Sequence, residues 1–249
     1  MKLGLQQLKI AFAISLLSLC FTLVQAQPGK SEILTSRVFN APPPPDDVNA
    51  PGNRVGGGKR GCENINISQE KQLTALVPVY QFPNAELVFG LTTNSHPTFW
   101  FYIPYDVATV SAEFVLQNEA GQIIYQSPVP LSGKPGVVSF SLPSTASSLE
   151  IGKRYHWYFN TFCNLEQPPI FVNGWVKRVE PNPLLKSQLE TATLKQRVVL
   201  YATNGIWYDS LTASAELRRL DPRLTDWATM LQAVGLNNIA SEPIIDCCQ

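Results

Sequence analysis

Cysteines are the residues of this sequence with the clearest chemistry, and four of the five lie beyond the N-terminal apolar run. They are Cys62, Cys163, Cys247 and Cys248. Their spacing lacks the two-residue pairs of zinc ribbons, which argues against a metal site. In an oxidising compartment an even number of cysteines predicts two disulfides. A bond between the adjacent Cys247 and Cys248 would need a distorted peptide link, so we favour the two pairings that join them separately to Cys62 and Cys163.

An oxidising compartment is predicted by the start of the chain, which has the pattern of a secretory signal peptide. Lys2 and Lys9 precede an apolar run over residues 10–24, and residues 24–26 offer small side chains at a cleavage site. The apolar run is short for a membrane span, although an uncleaved anchor is the alternative. Cleavage would remove Cys20 and leave a periplasmic or secreted protein without a stable membrane anchor.

Residue patterns that indicate catalysis are scarce. The histidines, His96 and His156, lie in no recognisable motif, and the sequence contains neither G-x-S-x-G nor H-E-x-x-H. The glycine-rich residues 54–61 lack the preceding strand and the Lys-Ser or Lys-Thr pair of a phosphate loop. Carboxylate pairs that hydrolyse glycosides leave no sequence pattern. We therefore predict no cofactor and no metal, and enzymatic activity is unsupported by the sequence.

Charge and composition restrict the class of partner. Only 15% of residues are charged while 45% are hydrophobic, which predicts a packed globule. Removing Lys2 and Lys9 with the signal peptide takes the basic residues from 19 to 17, against 19 acidic residues. This near-neutral balance provides no field for nucleic acid or anionic lipid. A protein partner in the cell envelope is compatible with it.

Aromatic residues are concentrated in two short apolar stretches, residues 97–104 and residues 155–162. Runs this short and apolar predict strands that are buried on both faces. Trp157 and Phe159 fall on one face at a period of two, so they should pack against alternate residues of the first stretch. We expect these two strands to form the middle of a β-sandwich.

Several aromatic side chains could form a binding surface instead of a core. If helices cover the sheet, all belong to the core, which we favour. If helices do not cover it, an exposed aromatic patch would suit a glycan or a protein. The five candidates are Trp100, Tyr102, Tyr105, Trp157 and Trp175.

Strand-length apolar segments separated by turn signals continue from residue 73 to residue 180, beginning with residues 73–79 and 86–92. Seven or eight such strands predict an immunoglobulin-like or fibronectin type III-like sandwich. Residues 149–155 resemble the corner before the sixth strand of fibronectin type III domains. That resemblance implies that the Tyr155 hydroxyl bonds to upstream backbone and holds the turn.

The pattern changes after Pro183 and favours helices. We predict them over residues 184–192, 194–203, 207–220 and 224–234. Residues 205–222 resemble half of a tetratricopeptide repeat, but no array of repeats follows, so a small helical subdomain packed on the sandwich is the better prediction. The expected organisation is a signal peptide over 1–26, a Pro/Gly-rich linker over 27–61, a β-sandwich domain over 62–180 and a helical subdomain with a disulfide-linked tail over 181–249.

Several of these motifs together resemble a cyanobacterial family of exported proteins named domain of unknown function 928. The resemblance runs from about residue 54 to residue 248, and the family name implies no activity. It is carried by V-G-G-G-K-R-G-C, P-T-F-W-F-Y-I-P-Y, G-K-R-Y-H-W-Y-F, G-W-V-K-R-V-E, G-I-W-Y-D-S-L and the final E-P-I-I-D-C-C.

Two functional hypotheses follow. The first is an exported, non-enzymatic module that binds a protein or another envelope component. The second is an envelope glycan-binding or hydrolytic protein with its site between the sandwich and the helices. A cleft with converging acidic or nucleophilic side chains would favour the second hypothesis, and a closed interface would favour the first.

Overall fold

A computed structural model describes residues 39–45, 52–57, 71–82, 85–105, 110–131, 133–164 and 166–245. The predicted signal peptide, much of the predicted linker, Cys62, Cys247 and Cys248 lie outside these ranges. Thr35–Gln249 form one compact unit. The predicted domain boundaries stay predictions.

The described residues are mostly β, with two sheets followed by four helices. The strands are β1 (Thr74–Ala75), β2 (Val79–Phe82), β3 (Ala85–Thr92), β4 (Thr98–Ile103), β5 (Ser111–Asn118), β6 (Ile123–Val129), β7 (Gly136–Ser141), β8 (Arg154–Phe162) and β9 (Ile170–Arg178). The helices are α1 (Pro183–Thr191), α2 (Leu194–Thr203), α3 (Trp207–Leu220) and α4 (Asp226–Ala233).

Strand pairing divides the β-structure into a small and a large sheet. The small sheet has the order β1-β4-β7, and the large sheet has the order β2-β3-β9-β8-β5-β6. All named strand pairs are antiparallel except β3 and β9, which run parallel. The single strand predicted over residues 73–79 is wrong, because the chain leaves β1 of the small sheet and enters β2 of the large sheet. Pro78, which has no amide proton for a ladder, lies at this change of sheet.

The two sheets face each other across a layer of aromatic rings, as the spacing of aromatics predicts. Phe101 of β4 stacks on Phe159 of β8 with ring centroids 4.1 Å apart. Trp157 of β8 contacts both Phe99 and Phe101. All four side chains are buried, and burial of each is worth about 2 to 3 kcal/mol. This layer gives the β-structure a sandwich-like arrangement.

A tyrosine holds the turn that leads into β8. The Tyr155 hydroxyl accepts a hydrogen bond from the Glu150 backbone N–H at 3.0 Å. Gly152 lies within the turn at φ +83°, a backbone conformation that favours glycine. The predicted bond from this tyrosine to upstream backbone is therefore confirmed.

Local capping interactions explain where the first two helices begin. The Asn182 side chain accepts from the Leu185 N–H at the start of α1. Thr193 and Gln196 form a reciprocal capping box at the start of α2. The predicted helices lie within two residues of the observed ones, and the largest difference is that α4 begins at Asp226 instead of residue 224.

Helix α4 and the later part of α3 cover the outer side of the small sheet, whereas the start of α3 packs on β3. Trp100 alternates with the inward-facing Phe99 and Phe101, and its indole N–H donates to the Thr212 hydroxyl of α3 at 3.0 Å. The same indole contacts Trp227 of α4 with ring centroids 5.5 Å apart. The Trp207 indole N–H at the start of α3 donates to the Leu76 carbonyl at 2.8 Å. Packing of the helices against the β-structure is therefore confirmed. In the part of the chain that the structure describes, we find no helix long and apolar enough to cross a membrane.

The bond that holds the turn before β8 can be tested with Tyr155→Phe. This change leaves the partly buried Glu150 N–H without its acceptor, so we expect a loss of about 1 to 3 kcal/mol in the free energy of unfolding, measured in urea. The control is Tyr125→Phe on β6, which should change it by less than about 0.5 kcal/mol. Equal stability of the two variants would contradict the role of Tyr155.

Candidate functional site

The structure places the five aromatic candidates in two different environments. Four are buried among core residues and offer no exposed surface: Trp100, Tyr102, Tyr105 and Trp157. Trp175 on β9 is half-buried. The side of the large sheet that faces away from the small sheet therefore carries the only one of the five with an accessible ring.

We call this side, where β9, β8 and β5 lie next to one another, the outer face. Antiparallel pairing places Trp175 beside His156, Asn173 beside Tyr158, and Phe171 beside Asn160. The β5 register adds Glu113 next to Asn160. Because neighbours in register share a face, these side chains form rows across the sheet. His156 points away from Tyr155 and Trp157, as its position predicts.

His156 is held by three neighbours on the outer face. Its ring stacks on the Trp175 indole with centroids 4.4 Å apart and an interplanar angle of 8°. Asn173 accepts from the Asn53 backbone N–H through Oδ1, so its amide nitrogen donates to His156 Nε2 at 3.1 Å. His156 Nδ1 therefore carries the proton and donates it to the Tyr158 hydroxyl at 3.1 Å.

This environment keeps His156 neutral. Its side chain is buried, and burial lowers its pKa from 6.5 to about 4. The Tyr158 oxygen accepts a hydrogen bond from the imidazole N–H, so the Tyr158 hydroxyl proton is left to donate elsewhere. Tyr158 is half-buried, and the chain Asn53–Asn173–His156 orients its hydroxyl for a partner on the outer face.

The third row of the outer face adds an amide, a carboxylate and an exposed aromatic ring. Phe171 is 40% exposed. Glu113 accepts from the Asn160 amide at 3.2 Å and from the Gln126 amide at 2.7 Å. Aromatic surface interleaved with hydrogen-bonding groups resembles the composition of binding sites for polar organic ligands.

A second candidate site is a cleft of about 190 Å³ between the β3–β4 connection and helices α2 and α3. We call it the helix cleft. Its polar lining includes Thr92, Thr98, Arg197, Tyr201, Asp209 and Glu216. A depression therefore lies between the β-structure and the helices, and a functional site there stays a prediction.

Asp209, in the first turn of α3, fixes one wall of the helix cleft. Its carboxylate accepts hydrogen bonds from the hydroxyls of Thr92 and Thr93, both at 2.6 Å, and from the Thr93 N–H at 3.2 Å. Burial raises the pKa of this carboxyl above its usual value, and the bonds from Thr92 and Thr93 oppose that rise. Both carboxylate oxygens accept hydrogen bonds from residues at the end of β3, so Asp209 joins β3 to α3.

Neither candidate site resembles a metal centre. Within the described ranges, no three His, Cys, Asp or Glu side chains converge in a way that could hold a metal ion. Cys163, just after β8, is disulfide-bonded. The remaining cysteines lie outside those ranges, so the pairing stays a prediction.

The chain matches a known protein family. The model of the family described as Domain of Unknown Function (DUF928) matches residues 55–244. The chain belongs to this family. The DUF928 match spans both sheets and all four helices. No curated protein matches the chain at a significant level. The family description names no activity, so the outer face and the helix cleft are the features of this chain that bear on its function.

Sequence reasoning singled out Trp175 and His156 but missed the other residues that build the two sites. Tyr158, Asn160 and Phe171 could have been found from the period of two, because they alternate with residues assigned to the core. Asp209 and Thr92 are separated by more than a hundred residues, and no local pattern connects them. Only docking of α3 brings them together.

Acid should destabilise the protein through His156. The folded pKa of about 4 lies below the usual 6.5, so the unfolded state binds more protons between these values. Stability from this group is fully present above about pH 6.5 and is lost as the pH falls towards about 4. Allowing for partial solvent screening, we expect a loss of about 1 to 2 kcal/mol in urea unfolding.

Two variants isolate this effect. His156→Gln should remove this part of the pH dependence, whereas the control His96→Gln should keep it. An NMR titration that gave His156 a pKa near its usual value of 6.5 would contradict the buried, neutral assignment.

Asp209→Ala tests the bond between β3 and α3. The hydroxyls of Thr92 and Thr93 and the Thr93 N–H would lose a charged acceptor, so we expect a loss of about 2 to 3 kcal/mol in the free energy of unfolding. The control, Asp226→Ala, removes an acidic residue from the first turn of α4. Because it alters only a helix-dipole interaction, it should cost about 0.3 to 1 kcal/mol. Equal losses would show that Asp209 contributes no more than a charge at a helix end.

Proposed function

We propose that this DUF928 protein is an exported, non-enzymatic module that binds a protein or another component of the cell envelope through the outer face. The observation that carries the proposal is the row of partly exposed aromatic and amide side chains on β8 and β9. Phe171 provides apolar surface, and Tyr158 presents an oriented hydroxyl. Helix α3 packs on β4 of the small sheet and on β3 of the large sheet, and its Tyr208 lies beside Phe99 and Trp157 in the aromatic core.

The outer face carries a few charges of both signs, which suits a polar partner. Glu113 is the one carboxylate among the rows described above, and Asn160 and Gln126 donate to it. The next row in register pairs Lys177 with Arg154, and Arg154 forms an ion pair with Glu119. Hydrogen bonds from amides and a tyrosine hydroxyl, combined with aromatic contact area, are typical of surfaces that recognise polar protein segments or glycans. A nucleic-acid partner would require a concentration of positive charge, which these rows lack.

An immunoglobulin-like or fibronectin type III-like sandwich is part of this proposal. Its support is the two-sheet strand order and the hydrogen bond from Glu150 to the Tyr155 hydroxyl, which resembles a tyrosine corner. Such sandwiches commonly serve as binding scaffolds, but this argument is an analogy at the level of the fold.

Attachment of the C-terminal tail by disulfides also belongs to the proposal. Ile244 pairs with Val137 at the edge of the small sheet, and the Ile245 N–H donates to the Val137 carbonyl at 2.8 Å. The chain therefore lies against β7 shortly before Cys247 and Cys248. This placement and the oxidised Cys163 support stapling of the tail to the β-structure, and oxidation supports a periplasmic or secreted location.

The helix cleft favours the second hypothesis, a glycan-binding or hydrolytic protein, to a smaller degree. Asp209 and Glu216 both line the cleft, as hydrolysis by two carboxylates would require. However, three donors hold the Asp209 oxygens, so its carboxylate is suited to positioning more than to nucleophilic attack or acid–base work. We therefore place binding on the outer face ahead of hydrolysis in the cleft.

Retention of the mature chain on immobilised envelope material tests the proposal. Phe171→Ala combined with Tyr158→Phe removes the exposed ring and the oriented hydroxyl, and we expect retention to fall at least about tenfold. The control, Leu220→Ala, removes an apolar side chain that is 78% exposed on α3 and should leave retention unchanged. Equal retention of all three proteins would overturn the outer face as the binding surface.

A further inference from the structure

The helix cleft contains two opposite charges that form no ion pair with the described residues. Arg197 on α2 and Glu216 on α3 both line it, and neither forms an ion pair with a described residue. The Arg197 Nε donates to the Ala192 carbonyl at 3.3 Å, which leaves its terminal nitrogens available. Glu216 makes no hydrogen bond to the described residues through its carboxylate. The two side chains therefore offer a cation and an anion to the same small space.

Arg197 is electrostatically connected to the interior of the cleft. Burial foremost raises the pKa of Tyr201 and the Asp209 charge raises it further, whereas a hydrogen bond with Thr93 and the Arg197 charge lower it. Tyr201 therefore lies near both Asp209 and Arg197 at the junction of α2 and α3. Since Asp209 already accepts three hydrogen bonds, Glu216 is the carboxylate with unused acceptor capacity.

We propose that the helix cleft binds a small zwitterionic α-amino acid, with the ligand carboxylate on Arg197 and the ligand ammonium on Glu216. A guanidinium matches a carboxylate with parallel hydrogen bonds, and a carboxylate accepts from an ammonium group. This inference is independent of the function proposed for the outer face, because it uses a different surface.

The volume and the remaining lining suit a small organic ligand. A volume of about 190 Å³ is well above the roughly 10 to 15 Å³ that one water needs on the same measure. Pro97, Leu194 and Ala213 provide apolar surface in the same cleft. A methyl side chain such as that of alanine would contact this surface.

Calorimetric titration of the full mature chain with alanine tests the inference. We expect saturable binding with a Kd of about 1 mM or tighter. Ethylamine and propionate each carry only one of the two charges, so both should bind at least about tenfold more weakly. Glucose tests the glycan alternative and should not bind. Absence of saturable alanine binding, equal binding of the singly charged probes, or binding of glucose alone would overturn the inference.

Variants with matched controls locate the site. Arg197→Gln and Glu216→Gln should each weaken alanine binding at least about tenfold. Both side chains are exposed, so the fold should persist, and unfolding curves provide that check. The controls Lys195→Gln on α2 and Glu190→Gln on α1 remove the same charges from exposed positions outside the cleft and should leave the Kd unchanged. Equal effects of variants and controls would show non-specific charge binding and overturn the inference.

The outcome is distinguishable from that of the outer-face experiment. Phe171→Ala with Tyr158→Phe should leave the Kd for alanine unchanged. If that variant weakened alanine binding as strongly as Arg197→Gln does, the ligand would lie on the outer face and the assignment to the helix cleft would be wrong.

Discussion

The structure depends on the burial of a single indole, that of Trp157. Its ring contacts Phe99 and Phe101 of the small sheet, and its N–H donates to the Tyr208 hydroxyl of α3 at 2.9 Å. One side chain thus connects the large sheet, the small sheet and the helices. Space for it comes from Gly174, where an added Cβ would lie 2.6 Å from the indole. A buried indole N–H without a partner would lower the stability of the fold. Docking of α3 avoids this loss, because the Tyr208 hydroxyl accepts the hydrogen bond of the Trp157 N–H.

Both candidate sites follow from this arrangement. Trp157 and Phe159 point inward. Because successive side chains of a strand point to opposite faces, His156 and Tyr158 point outward. Strand β8 therefore supplies both core and surface residues. Insertion of Tyr208 beside Trp157 places the next residue, Asp209, against Thr92 and Thr93. The helix cleft then lies where α2 and α3 pass over that junction. A surface of rigid strands and a cleft between strands and helices are therefore two products of the same packing.

The two sites differ in the kind of recognition that they support. The outer face is open and built mainly from amides and aromatic rings on neighbouring strands, with Lys177 and Arg154 in the adjoining row, which suits a large polar partner. The helix cleft is small and carries unused charges of both signs on two helices, which suits a small charged ligand. Most residues of both sites lie on strands and helices, which should keep the ordering cost of the backbone on binding low.

The sequence by itself determined the strands around residues 97–104 and 155–162, their packing, the bond from Tyr155 and the start of each helix to within two residues. These features depend on the period of side chains and on local capping, which a short stretch of residues contains. Only the tertiary structure decided that Trp100 is covered by α4, that β1 and β2 belong to different sheets, and that Arg197, Asp209 and Glu216 surround one cleft. These decisions depend on contacts between residues far apart in the chain, which no local pattern of residue types specifies.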